Sequence, residues 1–354
     1  MKEYNTEDFT KPMLSNVLSL FDGLSCGQLA LQCAGITYDK YFASEVDKYA
    51  ISVTQKNYPN TIQLGDVKNL RYEDGILYNS EQGFMADFDI LIGGSPCTNF
   101  SFAGKRKGMA TKDNVEILSL NHYLNLKEAG FEFEGQSYLF WEYVRILKEV
   151  RPKYFFLENV RMEQKWKDLI SETLGVQPIL INSSKVSAQS RERYYWTNIP
   201  NIQQPEERGI VVKDILEPFV DEKFYGSEAL LGRLVRHKNK IVRDNFENPE
   251  KSACIHAGYF KGGGRDQQYI VEKPILVGRV SHHQGDRVID INGKAYALTA
   301  SGGNNGGGGS SLFSMTNEEG EIIRLRKFTP LECERLQTIP DNYTKKGIIF
   351  LSQN

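Results

Sequence analysis

Net charge is almost absent from this chain. Across 354 residues, 43 Lys and Arg stand against 45 Asp and Glu, for a formal charge of −2. Bulk charge therefore advertises no nucleic-acid partner, and any such partner would need local basic patches. Cysteine is scarce. The five cysteines, at 26, 33, 97, 254 and 333, make no C-x-x-C pair, which argues against a zinc ribbon. An odd, scattered set fits free thiols in a reducing compartment. No window approaches the ~18 apolar residues of a membrane span. The N-terminal "MKEYNTEDFTKPMLSN" has no apolar signal core. These absences lead to the expectation of a cytoplasmic protein with no membrane contact. The G-x-G-x-x-G of dinucleotide folds is missing as well.

What is present is an alternation. "NVLSLFDG", "YFASEV", "TIQLGDV", "FDILIGGSP" and "YFFLENV" are short apolar runs that read as five strands. Between them, "CGQLALQCAGI", "DKYAISVTQKNYP" and "SYLFWEYVRILKEVRP" carry helical spacing and stop at Gly35, Pro59 and ahead of Pro152. Alternation of this kind predicts an α/β fold, a parallel sheet with helices on both faces. In such sheets chemistry gathers at the carboxyl ends of the strands. Asp22, Glu45, Asp66, Cys97 and Glu158 each fall at the end of a predicted strand. Their convergence on one rim is the main signal in the sequence.

The first turn, "FDGLSCG", has glycines at 23 and 27, which let backbone approach a ligand ahead of a helix N-terminus. Glu45 lies about 20 positions on, where an acid suits ribose hydroxyls. Asp66 is placed to accept from an adenine amino group. Together they describe a pocket for an adenosine-containing cofactor. Cys97 follows Pro96, whose ring fixes the local backbone. A nucleophile needs exposure, a route for its proton and a partner for the charge it creates. Glu158 in "LENV" is placed for acid catalysis, and Arg191 and Arg193 in "SAQSRERYYW" for stabilising negative charge. A lone cysteine is more often a small buried hydrophobe; the strand-end position and these companions reverse that reading.

The ordered set resembles the cytosine-5 DNA methyltransferase family. "FDGLSCG" looks like its cofactor loop, "SEV" its ribose-binding acid and "GDV" its adenine-side acid. "GGSPCTNFS" looks like its Pro-Cys nucleophile motif, "ENV" its glutamate motif and "QSRER" its Gln-x-Arg-x-Arg motif. "RKFTPLECERLQTIPDNY" is similar to the segment that follows the family's recognition region. These seven motifs run in family order from Phe21 to Tyr343. The loops resemble phage or bacterial members, with some similarity to the mammalian de novo enzymes around "SPC" and "YYW".

The resemblance implies a Rossmann-like S-adenosylmethionine-dependent methyltransferase sheet with a smaller, mostly β/loop target-recognition domain. It implies methyl transfer to carbon 5 of cytosine in double-stranded DNA, with S-adenosylmethionine as donor and no metal. It gives catalytic roles to Cys97, Glu158, Arg191 and Arg193. Phe21, Asp22, Gly23, Ser25, Gly27, Glu45, Asp66, Val67 and Pro96 become cofactor-binding residues. Cys97 attacks carbon 6, Glu158 serves ring nitrogen 3, Arg193 contacts the base carbonyl and Arg191 braces the Cys97 loop. The target atom is inaccessible within a duplex, so the base is flipped out. Lys105, Arg106 and Lys107 lie where phosphates would pass.

The expected division is 1–200 for the catalytic domain, 201–323 for target recognition, and 324–354 for a segment returning to the catalytic domain. Residues 110–137 extend the catalytic loop. Their "SLNHYLNLKEAG" reads as a short helix ended by Gly130, set either near the DNA, or to gate the site, or as a decorative insertion. Beyond Pro200, "IVVKDI", "ILVGRVS" and "RVIDING" are β-like, between glycine clusters. Arg265, Asp266, Gln267, Gln268, His282, His283, Gln284 and Arg287 are the polar candidates for reading base edges, and Thr299 matches the Thr-centred stretch that closes the region. The family's Gly-Asn stretch has no counterpart after Tyr343. That leads to the expectation of a truncated, weakly active chain with an open cofactor pocket; a second chain supplying the stretch, or closure by other residues, competes with it. Rival readings are a thiol-dependent NAD-linked oxidoreductase, a non-catalytic DNA-binding relative, and an enzyme acting on transfer RNA.

Overall fold

The structure, a computed structural model, describes residues 13–96, 109–224, 251–256, 268–272, 287–290, 294–299, 313–315 and 328–345. Cys97, Lys105, Arg106, Lys107, Arg265, Asp266, Gln267, His282, His283 and Gln284 lie outside them, as does the chain after residue 345. For the strands between 251 and 315, only the backbone is described.

The first strand, β1 (Met13–Leu20), buries its last four residues. Helix α1 (Cys26–Cys33) leads to β2 (Thr37–Ser44), which also buries its last four. In α2 (Lys48–Asn57), Asp47 is the N-cap, accepting from the backbone N–H of Tyr49 at 2.8 Å and Ala50 at 3.0 Å. The third predicted strand survives only as β3 (Ile62–Gln63). Gly65 turns the chain at φ +78°, and Asp66 starts a 3-10 helix, Val67–Asn69, by accepting from Lys68 N.

A hairpin sheet follows that the alternation does not foresee: β4 (Arg71–Glu73), β5 (Ile76–Tyr78) and β6 (Gly83–Met85), all antiparallel. Its first turn is Asp74-Gly75, both at positive φ, the dipeptide that two-residue hairpins favour because both central residues must be left-handed. Then come β7 (Ile90–Gly93), α3 (Leu120–Glu128), α4 (Phe140–Val150), β8 (Tyr154–Val160), α5 (Gln164–Leu174), β9 (Ile179–Asn182), β10 (Gln189–Ser190) and β11 (Glu192–Thr197).

The central sheet has the order β3-β2-β1-β7-β8-β11-β9. The pairs β3–β2, β2–β1, β1–β7 and β7–β8 are parallel, while β11 runs antiparallel to β8. On α4, Phe140, Trp141, Val144 and Ile146 are buried, the stripe that its helical spacing predicts. They join one core with Leu18, Leu20, Phe42, Leu91, Leu157 and Trp196. The helix stops at Arg151, in a left-handed conformation just ahead of Pro152.

The chain divides into two compact units, one of residues 1–180, 193–202 and 344–354, the other of 181–192 and 203–343. In the second unit, β12 (Lys251–His256), β13 (Gln268–Glu272), β14 (Arg287–Asp290), β15 (Lys294–Thr299) and β16 (Phe313–Met315) form two small sheets, β10-β15-β12 and β14-β13-β16. "RVIDING" is thus a strand over Arg287–Asp290. "IVVKDI" is not: Val212–Ile215 is a 3-10 helix. The Asp214 carboxylate reaches back to the Val211 N–H at 2.8 Å, which favours a turn over a ladder. The helix Pro330–Leu336 opens with Thr329 and Glu332 capping each other's backbone N–H. It grips the chain at 215–217, with Glu332 accepting from Glu217 N and Arg335 donating to Ile215 O.

Candidate active site

The turn between β1 and α1 puts three of its five residues in the left-handed region. Phe21, Gly23 and Ser25 stand at φ of 58°, 59° and 60°. Glycine adopts this at no steric cost, whereas Phe and Ser each cost about 1–2 kcal/mol there. The surroundings hold the shape. Asp22 N donates to Ser44 O at 3.2 Å and Ser25 N to Asp22 O at 3.0 Å. Gly23 N donates to Glu45 Oε2 at 2.8 Å. Buried Gln28 donates from Nε2 to the hydroxyls of both Ser25 and Thr61 at 2.8 Å, and accepts from Tyr38 at 2.6 Å.

Glu45 follows the last residue of β2. Its Oε1 accepts from the N–H of Val46 at 2.7 Å and of Asp47 at 2.9 Å. With Gly23 on Oε2, three of about four carboxylate lone pairs are in use, and Oε2 keeps one for a ligand hydroxyl. A Cβ on Gly23 would meet nothing within 4 Å, so the turn faces open space.

Asp22 is mostly buried. Its Oδ1 accepts from the Tyr41 hydroxyl at 2.9 Å, while its buried Oδ2 has no hydrogen-bond partner. Gly27 makes this possible, because a Cβ there would sit 2.5 Å from the Tyr41 oxygen. Burial pushes the Asp22 carboxyl up, more than the neighbouring hydroxyls of Ser19, Ser25 and Tyr41 pull it down, and the charge of Glu45 adds to the rise. A raised carboxyl favours the folded state fully below the ordinary Asp range, about pH 4, and loses that contribution as pH rises through the raised value. Asp22→Asn should therefore melt above wild type near pH 8, with the difference vanishing toward about pH 4. Melting curves that coincide at the higher pH would show that Asp22 carries no desolvation cost.

Asp66 accepts from Lys68 N at 3.0 Å and pairs with the Lys68 ammonium at 3.1 Å. Val67 beside it is buried, and its carbonyl accepts from Arg145 at 3.2 Å.

Glu158 lies inside β8 instead of at its end, because β11 carries the pairing further. It is level with the chain just past β7, whose last residue, Gly93, pairs with Leu157. Tyr195 lies opposite Glu158 and Arg193 opposite Val160, so Glu158 and Arg193 are diagonal neighbours on one sheet face. Their side chains form an ion pair, Arg193 Nε to Glu158 Oε1, at 2.7 Å and mostly shielded from solvent. A Cβ on Gly94 would come within 3.3 Å of Glu158 Oε2. Glycine there leaves room for the carboxylate over the stem that leads to Pro96 and Cys97. Buried Asn159 ties down the same stem, donating to Ser95 O at 3.2 Å and Ser95 Oγ at 3.1 Å.

Arg191 belongs to the second unit, where Asn182 Oδ1 accepts from its backbone N–H at 3.0 Å. Among the described residues no group of three or more His, Cys, Asp or Glu side chains is arranged to hold a metal, and no helix is long and apolar enough to cross a membrane.

Asn159, Tyr41 and Gln28 are absent from the residues singled out by sequence. Asn159 had a signal, since it stands within "LENV" at a position whose strand alternation turns it inward. Tyr41 and Gln28 had none, because only the folded turn brings them to Asp22 and Ser25.

A left-handed glycine turn, an acid after β2 and a carboxylate–guanidinium pair on a mostly parallel sheet make an α/β enzyme site that the S-adenosylmethionine-dependent methyltransferase class fits. Residues 15–349 match the sequence model for C-5 cytosine-specific DNA methylase, and the chain belongs to that family. The orphan methyltransferase M.Rho11sI of Bacillus phage rho11s is 27% identical over 348 residues, 84% of this chain and 60% of the phage protein. The orphan methyltransferase M.SPBetaI of Bacillus phage SPbeta is 26% identical over 408 residues, covering 94% of this chain and 90% of its own. The S. pombe Dnmt2 methyltransferase superposes with a TM-score of 0.54 at 17% identity, over 93% of this chain and 88% of that one, and shows the same fold. By family the chain is a DNA cytosine-5 methyltransferase with S-adenosylmethionine as its methyl donor.

Proposed function

We propose that this chain methylates cytosine in double-stranded DNA through a covalent adduct on Cys97. The observation that carries the reading is the Glu158–Arg193 pair set over Gly94 and the Ser95-Pro96 stem. Cytosine is electron-poor at carbon 6, but not enough to accept a thiolate unaided. Cys97 sulfur bonds to carbon 6 of a flipped-out base. Glu158 holds or protonates ring nitrogen 3, so that the displaced electron pair builds no full charge on the ring. Arg193 orients Glu158 and contacts the base carbonyl. Bound S-adenosylmethionine would give its methyl group to carbon 5 and leave as S-adenosylhomocysteine; carbon 5 then loses its proton to a base, and the bond between Cys97 sulfur and carbon 6 breaks by elimination.

The described residues fit the donor. Asp22 stands in the turn, and the free lone pair of Glu45 suits a ribose hydroxyl. Phe21, Gly23, Ser25 and Gly27 give the turn its shape, Asp66 and Val67 form the adenine side, and Pro96 sets the rim. Glu45→Ala removes that acceptor together with three backbone anchors. A hydrogen bond to a charged group contributes about 1.5–3 kcal/mol, so the dissociation constant for S-adenosylhomocysteine should rise roughly 10- to 150-fold by calorimetry. Unchanged affinity would remove Glu45 from the pocket.

In this reading residues 1–200 are the catalytic domain, 201–323 read the target from the major groove, and 324–354 return to the catalytic domain. Its workplace is the cytoplasm of a bacterial or phage-infected cell. Bisulfite sequencing of DNA from cells expressing the chain should reveal methylated cytosines in one fixed context. A map identical to the empty-vector control, from cells making folded protein, would refute the reading.

A further inference from the structure

Glu142, on α4, is a carboxylate with no solvent exposure. A buried charge persists only if well paired. Three donors meet it: the Tyr123 hydroxyl at 2.5 Å, Lys127 Nζ at 2.6 Å and Arg145 Nε at 2.8 Å. Tyr123 and Lys127 stand one turn apart on α3. Arg145, itself largely buried, continues the path. It donates to Glu149 Oε1 at 2.7 Å and, through its second terminal nitrogen, to the carbonyl of Val67 at 3.2 Å. The other Glu149 oxygen accepts from Tyr72 N in β4 at 2.9 Å. Lys127 and Arg145 balance Glu142 and Glu149 in charge, and the planar guanidinium fixes the geometry at the Val67 end. Burial, and then the bond to Glu142, push the Tyr123 hydroxyl up, so it stays a donor at physiological pH.

Helix α3 belongs to the 110–137 stretch, for which the sequence offers a place at the DNA, a gate or a decoration. We infer that α3 instead positions the nucleoside wall of the cofactor pocket, through the path Tyr123 and Lys127 to Glu142, Glu142 to Arg145, and Arg145 to the Val67 carbonyl. The inference rests on the reading of Asp66 and Val67 as the adenine side. Tyr123, Lys127, Glu142 and Arg145 are positioning residues, since none touches the reacting atoms.

The test uses the full chain. Calorimetry measures S-adenosylhomocysteine affinity, filter binding measures affinity for a DNA duplex, and single-turnover assays at saturating S-adenosylmethionine measure methyl transfer. Lys127→Met keeps the stem and removes the charge; Arg145→Lys keeps the charge and loses the fork. Each should raise the S-adenosylhomocysteine dissociation constant roughly 2- to 30-fold, the scale of networked positioning residues. Duplex affinity and transfer rate should stay within about twofold, and the double variant should fall short of additivity because the two share Glu142. Ile170→Val, buried in α5 away from this path, should melt lower and keep wild-type cofactor affinity, which separates positioning from plain destabilisation. Should Arg145→Lys not fold, Tyr123→Phe, which removes one hydroxyl, reads the same path.

Unchanged cofactor affinity in the α3 and α4 variants overturns the inference. So does a loss confined to duplex affinity or transfer rate, which would make α3 a DNA-facing or gating element. Val67→Ala distinguishes the two levels. If it weakens S-adenosylhomocysteine binding and the brace variants do not, the brace alone is wrong. If wild type binds and Val67→Ala binds equally well, the assignment of the adenine side is wrong and the brace falls with it.

Discussion

Cys97→Ser should abolish methyl transfer, by a factor on the order of 10^6, the scale on which other covalent enzymes respond to loss of their nucleophile. A serine hydroxyl at neutral pH is a far weaker nucleophile than a thiolate toward carbon 6, and nothing else in the proposed site replaces the bond it would have made. The turn that holds Asp22 and Glu45 is untouched by the change, so the variant should bind S-adenosylhomocysteine with the wild-type dissociation constant. That control separates a dead nucleophile from a damaged fold. A second measurement tests the adduct itself. Duplex DNA carrying 5-fluorocytosine at the target position accepts sulfur at carbon 6 and methyl at carbon 5, but has no proton at carbon 5 to lose. Wild type should therefore remain attached to it under denaturing electrophoresis, and Cys97→Ser should not. Methyl transfer at the wild-type rate by the serine variant would end the nucleophile assignment. Failure of active wild-type protein to trap would end the covalent route.

How far the sequence carries this picture depends on whether the signal is local. The carboxyl ends of β1, β2 and β7 are legible because apolar runs stop at Asp-Gly, at Glu45 and at Gly-Gly. Helix α4 is legible because its apolar stripe has the period of a helix and Pro152 forbids continuation. The β4–β5 hairpin was equally legible in "YEDGIL", since Asp-Gly between apolar residues is a strong hairpin signal; the strand–helix alternation passes over it. Other features are not local. Glu158 reads as a strand end because "LENV" precedes polar sequence, yet β8 runs on, since antiparallel β11 pairs with it from 30 residues and more downstream. "TIQLGDV" reads as a strand because of its apolar residues, yet Asp66 caps the following turn and cuts the strand to Ile62–Gln63. Gly27 looks like a loop glycine and is needed because the Tyr41 hydroxyl passes 2.5 Å from where a side chain would start. Asp22, Glu45 and Glu158 could be named from motif order; the atoms that orient them, from Tyr41, Gly23 and Arg193, meet only through the fold.

The Glu158–Arg193 pair carries the second large prediction. Glu158→Gln is nearly isosteric with the carboxylate that now lies 2.7 Å from Arg193 Nε, so the local packing should survive. What disappears is a group able to carry a proton to ring nitrogen 3. General acid catalysis contributes about 10^2- to 10^4-fold, and kcat for methyl transfer should fall by that factor while duplex and cofactor affinities hold. Arg193→Ala should cost a comparable factor for a different reason, since it frees Glu158 to leave the position over Gly94 and withdraws charge from the base carbonyl. If Arg193 acts chiefly by orienting Glu158, the double variant should be little worse than Glu158→Gln alone, because groups that act as a unit are strongly non-additive. Additive losses would instead mean that Arg193 serves the base independently. Glu158→Gln retaining more than about a tenth of wild-type kcat, well outside the range expected for a lost general acid, would remove Glu158 from nitrogen 3 and leave the ion pair as a structural tie between β8 and β11.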